Sequence, residues 1–127
     1  MAFVLKQSAT YTWPVPLLIP VDGGKREKHT LDIEYKRLPQ TRIDEIVRLA
    51  RLVDAGKGEP EDEEAMNKVP REIIAGWSGV TDDQGEPIPF SEARLTELLL
   101  IPTVGGQIVK AWFESMAAAK KPTSRGL

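Results

Sequence analysis

The chain has 127 residues, 41% of them hydrophobic, with one histidine and no cysteine. This length and composition predict a single folded domain. The secondary-structure elements predicted below place this domain at residues 1–121. The lack of cysteine excludes a thiol nucleophile and a cysteine-based zinc site, and one histidine leaves little of the acid–base chemistry that operates near neutral pH. We therefore expect no enzyme activity, no catalytic residue, no cofactor and no metal site.

The charge and hydropathy of the chain limit its partners. The 17 basic and 19 acidic residues give a net charge of −2, and neither half of the chain has the basic surplus typical of nucleic-acid binding. The longest apolar stretches, such as residues 15–21 and 98–101, are much shorter than the roughly 20 residues that span a bilayer. We expect no nucleic-acid partner, no membrane partner and a cytoplasmic location.

The N-terminal part has the periodicity of a β-strand. Every odd position from Tyr11 to Val21 is apolar, whereas the even positions include Pro14, Pro16 and Pro20. Successive residues of a strand direct their N–H groups to opposite sides, so prolines at even positions remove donors from one edge only. This pattern predicts an edge strand that is protected from further sheet growth.

A second strand is predicted after the turn at residues 22–24. Its apolar residues Leu31, Ile33 and Tyr35 alternate with polar ones, so they should be protected from solvent while their polar neighbours are exposed. The two strands form a predicted β-hairpin over residues 11–37. Because a lone hairpin is marginally stable, its apolar face must pack on the helices or on another subunit.

Helices are predicted after the hairpin, at about residues 42–55, 61–76, 91–101 and 103–120. For the first, Thr41 is the expected N-cap, and Asp44 completes an approximate capping box. Apolar residues then recur at helical spacing from Ile43 to Val53. The predicted fold is α+β, with an N-terminal β-hairpin packed on a small bundle of about four α-helices.

The second predicted helix begins among acidic residues. Five carboxylates lie within residues 59–64, and carboxylates stabilise a helix N-terminus. Pro70 either interrupts this helix or begins a turn over residues 70–76.

Caps and proline define the last two predicted helices. Ser91 is the expected N-cap of the third helix, with Phe90 and Leu95 as a hydrophobic staple. The basic and proline residues at 120–122 end the fourth helix. Residues 122–127 are expected to be disordered.

Several polar features resemble chemical sites, and a structural role is favoured for each. His29 is expected on the surface of the second strand. Residues 59–64 lack the alternating ligands and central glycine of a calcium loop, so a solvated helix start is favoured. Asp82 and Asp83 fit a β-turn. Residues 22–25 lack the order of a phosphate-binding loop, so a hairpin turn is favoured.

The aromatic residues of the C-terminal half are expected in the core, although some of them could reach a partner. They are Trp77, Phe90, Trp112 and Phe113. Trp112 and Phe113 are adjacent and point about 100° apart on a helix, so one can be buried while the other faces outward. Phe113 is the predicted outward residue.

One segment carries a more specific pattern. Residues 73–91 read IIAGWSGVTDDQGEPIPFS and precede leucines at positions 95, 98 and 99. The pattern is G-W-x-G-V, then D-x-x-G-x-P-x-P-F-[ST], then a leucine-rich helix. It resembles the tail assembly chaperones of long-tailed bacteriophages, and its most specific part is Gly76 to Ser91.

This resemblance implies a small protein of a phage or prophage, located in the cytoplasm of the bacterial host. Such a protein is not an enzyme, is absent from the finished virion, binds the tape measure protein and recruits tail tube subunits. The resemblance also implies homo-oligomers, with an apolar face from either the hairpin or the helix over residues 43–53. The residues expected to bind the partner are Trp77, Phe90, Leu95, Leu99, Trp112 and Phe113.

The resemblance further implies a programmed frameshift near the end of the gene, which would give a longer product that contacts the tail tube protein. Lys120 and Lys121 lie where an A-rich slippery codon pair could stand. The coding DNA over residues 118–122 tests this hypothesis. A sequence that does not permit re-pairing one base back would count against it.

Two other functions are compatible with the sequence. A structural tail component, such as a terminator or connector subunit, would keep the hairpin but remain in the particle. An enzyme that depends on carboxylates would use Asp82 and Asp83 or the acids of residues 61–64. The second alternative requires an acid whose pKa is raised by burial, whereas these acids are expected in polar, turn-like surroundings.

Overall fold

The computed structural model describes residues 2–117, in which an antiparallel sheet packs against helices. The strands are β1 (Thr10–Val21), β2 (Lys25–Lys36) and β3 (Ile74–Ser78), in the spatial order β1-β2-β3. The helices of this part of the chain are α1 (Gln40–Asp54), α2 (Pro60–Asn67), α3 (Val69–Ile73), α4 (Glu92–Leu100) and α5 (Val104–Ala117). The predicted α+β fold is confirmed.

Three predictions concern residues outside the described part of the chain. They are the end of the last helix at residues 120–122, the disorder of residues 122–127, and the position of Lys120 and Lys121 in a frameshift site.

The hairpin forms as the alternation of apolar residues predicts. The pairing of β1 with β2 ends at Val21 and Lys25, and the intervening turn contains Gly23 at φ 86° and Gly24 at φ 72°. Glycine adopts such left-handed values without steric cost. The odd-numbered residues of β1 from Tyr11 to Ile19 face the core, with Val15 fully buried, whereas Val21 at the end of the strand is 38% exposed.

The inward face of β2 is also as predicted. Leu31, Ile33 and Tyr35 are buried, and Asp32 is exposed. The expectation that Glu34 would be exposed is wrong, because this residue is half-buried. Its carboxylate accepts a 2.7 Å hydrogen bond from the hydroxyl of Thr10.

β1 is an edge strand, and its outer edge is protected over residues 14–20. Pro14, Pro16 and Pro20 present no N–H at this edge. Leu18 does present one, and it donates to Oε1 of Gln107 at 2.7 Å, while Nε2 of Gln107 donates to the carbonyl of Leu18 at 3.0 Å. The glutamine side chain thus occupies the hydrogen-bonding positions that an additional strand would use.

The predicted helix over residues 61–76 is wrong beyond residue 73. Two short helices, α2 and α3, occupy residues 60–73 except Lys68, and the chain then continues as β3, which pairs with β2 through Asp32 and Ser78. The second edge of β2 provides backbone donors and acceptors that β3 satisfies. This long-range pairing prevails over the local helical pattern, and the hairpin becomes a three-stranded sheet.

The start of α1 also differs from the prediction. The helix begins at Gln40 after Pro39, and no side chain caps it. Thr41 is therefore inside the helix. Asp44 accepts a 2.9 Å hydrogen bond from the side chain of Gln40 instead of capping the backbone.

Two other helix starts agree with the prediction. Glu59 and Asp62 form a reciprocal capping box at α2, in which the N–H of Glu59 donates to the Asp62 carboxylate at 2.8 Å. The acidic segment is thus a helix N-terminus. At α4, the hydroxyl of Ser91 accepts from the N–H of Arg94 at 3.1 Å.

The helix α5 packs on the inner face of the sheet. The hydroxyl of Tyr35 donates to the carbonyl of Ile108 at 2.8 Å, and the hydroxyls of Tyr11 and Ser115 lie 2.7 Å apart. Trp112 is 1% exposed and completes the core between the sheet and the helices. Within the described residues, no helix has the length and apolar character needed to cross a membrane.

Candidate partner-binding site

A groove with a largely apolar lining lies where α1, the junction of α2 and α3, the end of α4 and the first part of α5 meet. Its volume is about 710 Å³. We call it the apolar groove. Its lining residues are Ala50, Asp54, Met66, Asn67, Pro70, Leu99, Leu100, Ile101, Pro102, Thr103, Gly105, Gly106, Val109, Lys110 and Phe113. Two of them, Asp54 and Lys110, carry charge, so the groove suits a partner that presents mainly apolar side chains.

The end of α4 exposes large apolar side chains at this groove. Leu100 is 76% exposed and Ile101 is 42% exposed. Sequence reasoning did not select these two residues as partner contacts. A signal was available, because residues 98–101 are four consecutive apolar residues, and successive residues of a helix point about 100° apart. They cannot all face the core.

Ion pairs hold the walls of the apolar groove together. Arg42 of α1 donates to both carboxylate oxygens of Glu72 of α3, at 2.8 and 2.7 Å. The hydrogen bond from Arg42 holds the pKa of the Glu72 carboxyl below its usual range. Arg71 of α3 donates to Glu92 at 2.9 Å and to Thr96 at 2.6 Å, both on α4. These partly exposed contacts link α3 to two neighbouring helices.

The turn between α4 and α5 has an unusual backbone conformation. Thr103 has φ 71°, a value that β-branched residues rarely adopt. Its hydroxyl accepts a 3.0 Å hydrogen bond from Nε2 of Gln107. Strained residues of this kind cluster at ligand-contacting sites, and Thr103 lines the apolar groove.

The six residues predicted to bind a partner do not lie together. Leu99 and Phe113 line the apolar groove, and both are half-buried. Leu95 and Trp112 are 0% and 1% exposed, so the prediction that they contact a partner is corrected. Their side chains are enclosed by the core and offer no surface.

Trp77 and Phe90 pack against each other, away from the apolar groove. Their ring centroids lie 5.1 Å apart at an interplanar angle of 85°, and Nε1 of Trp77 donates to the carbonyl of Ile88 at 2.8 Å. Gly79 has φ 87°, and an added Cβ would lie 3.5 Å from Cα of Leu31. The most characteristic residues of the G-W-x-G-V segment therefore hold the loop of residues 79–90 against β3.

Two of the polar candidates, His29 and Asp82, lie in the settings that the sequence predicts, a strand surface and a turn. His29 lies on β2 with a side chain that is 59% exposed, 3.3 Å from Glu27. The carboxylate of Asp82 accepts from the backbone N–H groups of Gln84 and Glu86, at 2.8 and 2.9 Å, as in a turn. Within residues 2–117, no three His, Asp or Glu side chains converge as a metal site requires.

A second groove lies between the outer edge of β1 and α5, and its volume is about 620 Å³. We call it the basic groove. Its lining residues are Pro16, Leu18, Pro20, Arg26, Lys28, Thr103, Gln107, Lys110, Ala111 and Glu114. Three cations face one carboxylate, that of Glu114, so this groove attracts anionic groups.

Residues 2–117 form a small α+β domain that carries the apolar groove and the basic groove. The family model described as YdaY prophage protein matches residues 28–124, which are 97 of the 127 residues. The chain therefore belongs to the YdaY prophage protein family. The match begins within β2 and includes the whole segment from Gly76 to Ser91. No curated protein and no solved structure matches the chain.

Proposed function

We propose that this prophage protein is a tail assembly chaperone, which binds the tape measure protein in the apolar groove and is not retained in the virion. The observation that carries the proposal is the groove itself, with Leu100 and Ile101 exposed at its edge. The prophage family and the resemblance of residues 76–91 to tail assembly chaperones support the same function.

The lining of the groove fits one face of an amphipathic helix. Helix-in-groove binding uses apolar side chains at positions i, i+3, i+4 and i+7 of the ligand helix. A long helical tape measure protein exposes such side chains until tube subunits cover it. The full burial of one large apolar side chain contributes about 1.5–3 kcal/mol, so Leu100 and Ile101 alone offer a substantial gain on binding.

The ion pairs at the groove walls favour binding further. Because the ion pair of Arg42 and Glu72 links α1 to α3 in the free protein, it reduces the conformational entropy that is lost when a helix enters. The chaperone shields the apolar stripes of the tape measure protein and recruits tail tube subunits. The tube contact belongs to this protein or to a longer frameshifted product.

The test is a binding titration with the purified tape measure protein of the same prophage. Leu100→Glu places a carboxylate at an exposed position of the groove edge, so the fold is preserved and the dissociation constant should rise about tenfold or more. The matched control is Leu5→Glu, because Leu5 is 88% exposed and lies outside the groove. The control should bind as the wild type does.

Two results would contradict the proposal. One is equal affinity of the wild type and the Leu100→Glu variant, which would move the contact elsewhere on the surface. The other is the absence of any binding to the tape measure protein. If the chain instead appears in purified particles at a fixed stoichiometry, it is a structural tail component.

A further inference from the structure

We infer that the basic groove binds the acidic helix α2 of a second copy of this chain, so that copies associate head to tail. This inference concerns contacts between copies and does not depend on the tape measure protein. It assigns the basic groove and the acidic residues 59–64 at the start of α2. The apolar groove of the proposed function is lined by Met66 and Asn67 at the other end of this helix.

The two surfaces have opposite charge. The basic groove contains Arg26, Lys28 and Lys110 against one carboxylate. The N-terminal segment and first turn of α2, residues 59–64, contain five carboxylates and no cation. Opposite potentials on two surfaces favour their association and fix its orientation.

The charged groups are available on both surfaces. In the part of the chain that the structure describes, the three cations of the basic groove form no salt bridge. The same holds there for Glu63 and Glu64 of α2, whose residues are exposed. Within residues 2–117, each surface therefore has an excess of one charge that the other surface can balance.

Both surfaces also contain exposed apolar residues. The lining of the basic groove includes Pro16, Pro20 and Leu18 of β1, and Leu18 is 47% exposed. The helix α2 exposes two small apolar residues, Pro60 and Ala65, beside its carboxylates. Contacts between these apolar residues can accompany the pairing of the carboxylates with the cations.

The edge of β1 favours a helix over a strand as the occupant. Prolines and the side chain of Gln107 remove the free N–H groups with which a strand would pair. The contact is heterologous, since it joins two different surfaces, and it generates a ring or an open row of copies. Leu100 and Ile101 of the apolar groove do not line the basic groove, whereas Thr103 and Lys110 line both.

Sedimentation equilibrium of the full chain, with charge-reversed variants, tests the inference. Arg26→Glu with Lys28→Glu, and separately Glu63→Lys with Glu64→Lys, should each raise the dissociation constant for self-association about tenfold or more. The control for the first variant is Lys6→Glu with Arg48→Glu, which changes the net charge equally at exposed positions outside both grooves. It should associate as the wild type does.

A mixture of the two reversed variants gives the sharpest result. Each variant retains the native surface that the other has lost. The native groove of one variant can therefore bind the native α2 of the other, and the mixture should regain association. Association of the wild type should also weaken as salt is added. A wild type that is monomeric at every concentration, or a mixture that remains monomeric, would overturn the inference. Capture of a nucleic acid or of a different acidic protein by the groove, without self-association, would do the same.

Discussion

The buried hydroxyl of Tyr35 provides a quantitative test of how the sheet is joined to α5. Tyr35 is 0% exposed, and its hydroxyl donates to the carbonyl of Ile108 at 2.8 Å. Tyr35→Phe keeps the ring and removes this hydrogen bond. The carbonyl of Ile108 keeps its helical partner, so we expect a loss of about 1 kcal/mol in the free energy of unfolding, or about 4 °C in Tm.

The pH dependence of the same variant distinguishes this hydrogen bond from a general packing effect. Burial raises the pKa of the Tyr35 hydroxyl above its ordinary value, with a smaller contribution from Tyr11. Above about pH 10 the unfolded chain loses this proton while the folded chain retains it, so the wild type loses stability as the pH rises. The Tyr35→Phe variant should lose less stability than the wild type over the same rise in pH.

Urea unfolding at pH 7 and at pH 10.5 measures both effects of the substitution. The control is Tyr11→Phe, since Tyr11 is only half-buried and its hydroxyl contacts Ser115. Equal stability of the wild type and the Tyr35→Phe variant at pH 7, or equal losses of the two proteins at pH 10.5, would refute the burial and hydrogen bonding of Tyr35.

Three further substitutions test other parts of the structure. Glu72→Gln should lower the free energy of unfolding by about 1 kcal/mol. Arg42 lowers the pKa of Glu72, so the wild type loses this stabilisation as the pH falls through the lowered pKa. The urea midpoints of the two proteins should therefore converge in acid, and a constant difference would contradict the pair. Trp77→Phe should lower the free energy of unfolding by about 1 kcal/mol, because it removes the hydrogen bond to the Ile88 carbonyl. Unchanged hydrogen exchange in residues 79–90 would contradict the role of Trp77 in holding this loop. Gly79→Ala should lower the free energy of unfolding by about 1–2 kcal/mol, because φ 87° at Gly79 is a left-handed conformation that is costly for alanine. An unchanged Tm would exclude that conformation.

The hairpin could be predicted from the sequence because its information is local. Alternation of apolar residues fixes which face of β1 and β2 is buried, and the parity of Pro14, Pro16 and Pro20 fixes which edge of β1 is free. The strand β3 could not be predicted in this way. It has five residues, Ile74–Ser78, and its partner β2 is distant in the chain, so the preceding helical pattern dominates the local signal.

The candidate site was predictable in part. The leucine and aromatic residues of the last two helices identified Leu99 and Phe113, which line the apolar groove. Periodicity alone does not determine how deeply a residue is buried, and the packing of α5 on the sheet encloses Leu95 and Trp112. The exposure of Leu100 depends on where α4 ends, which is a property of the tertiary structure.

Mass spectrometry of the proteins that co-purify with the tagged chain, from cells producing the whole tail gene cluster, tests the proposed chaperone function most directly. The proposal predicts recovery of a long helical tape measure protein with the wild type and its loss with the Leu100→Glu variant, while Leu5→Glu retains it. Recovery of no tape measure protein with the wild type, or equal recovery with all three proteins, would contradict the proposal.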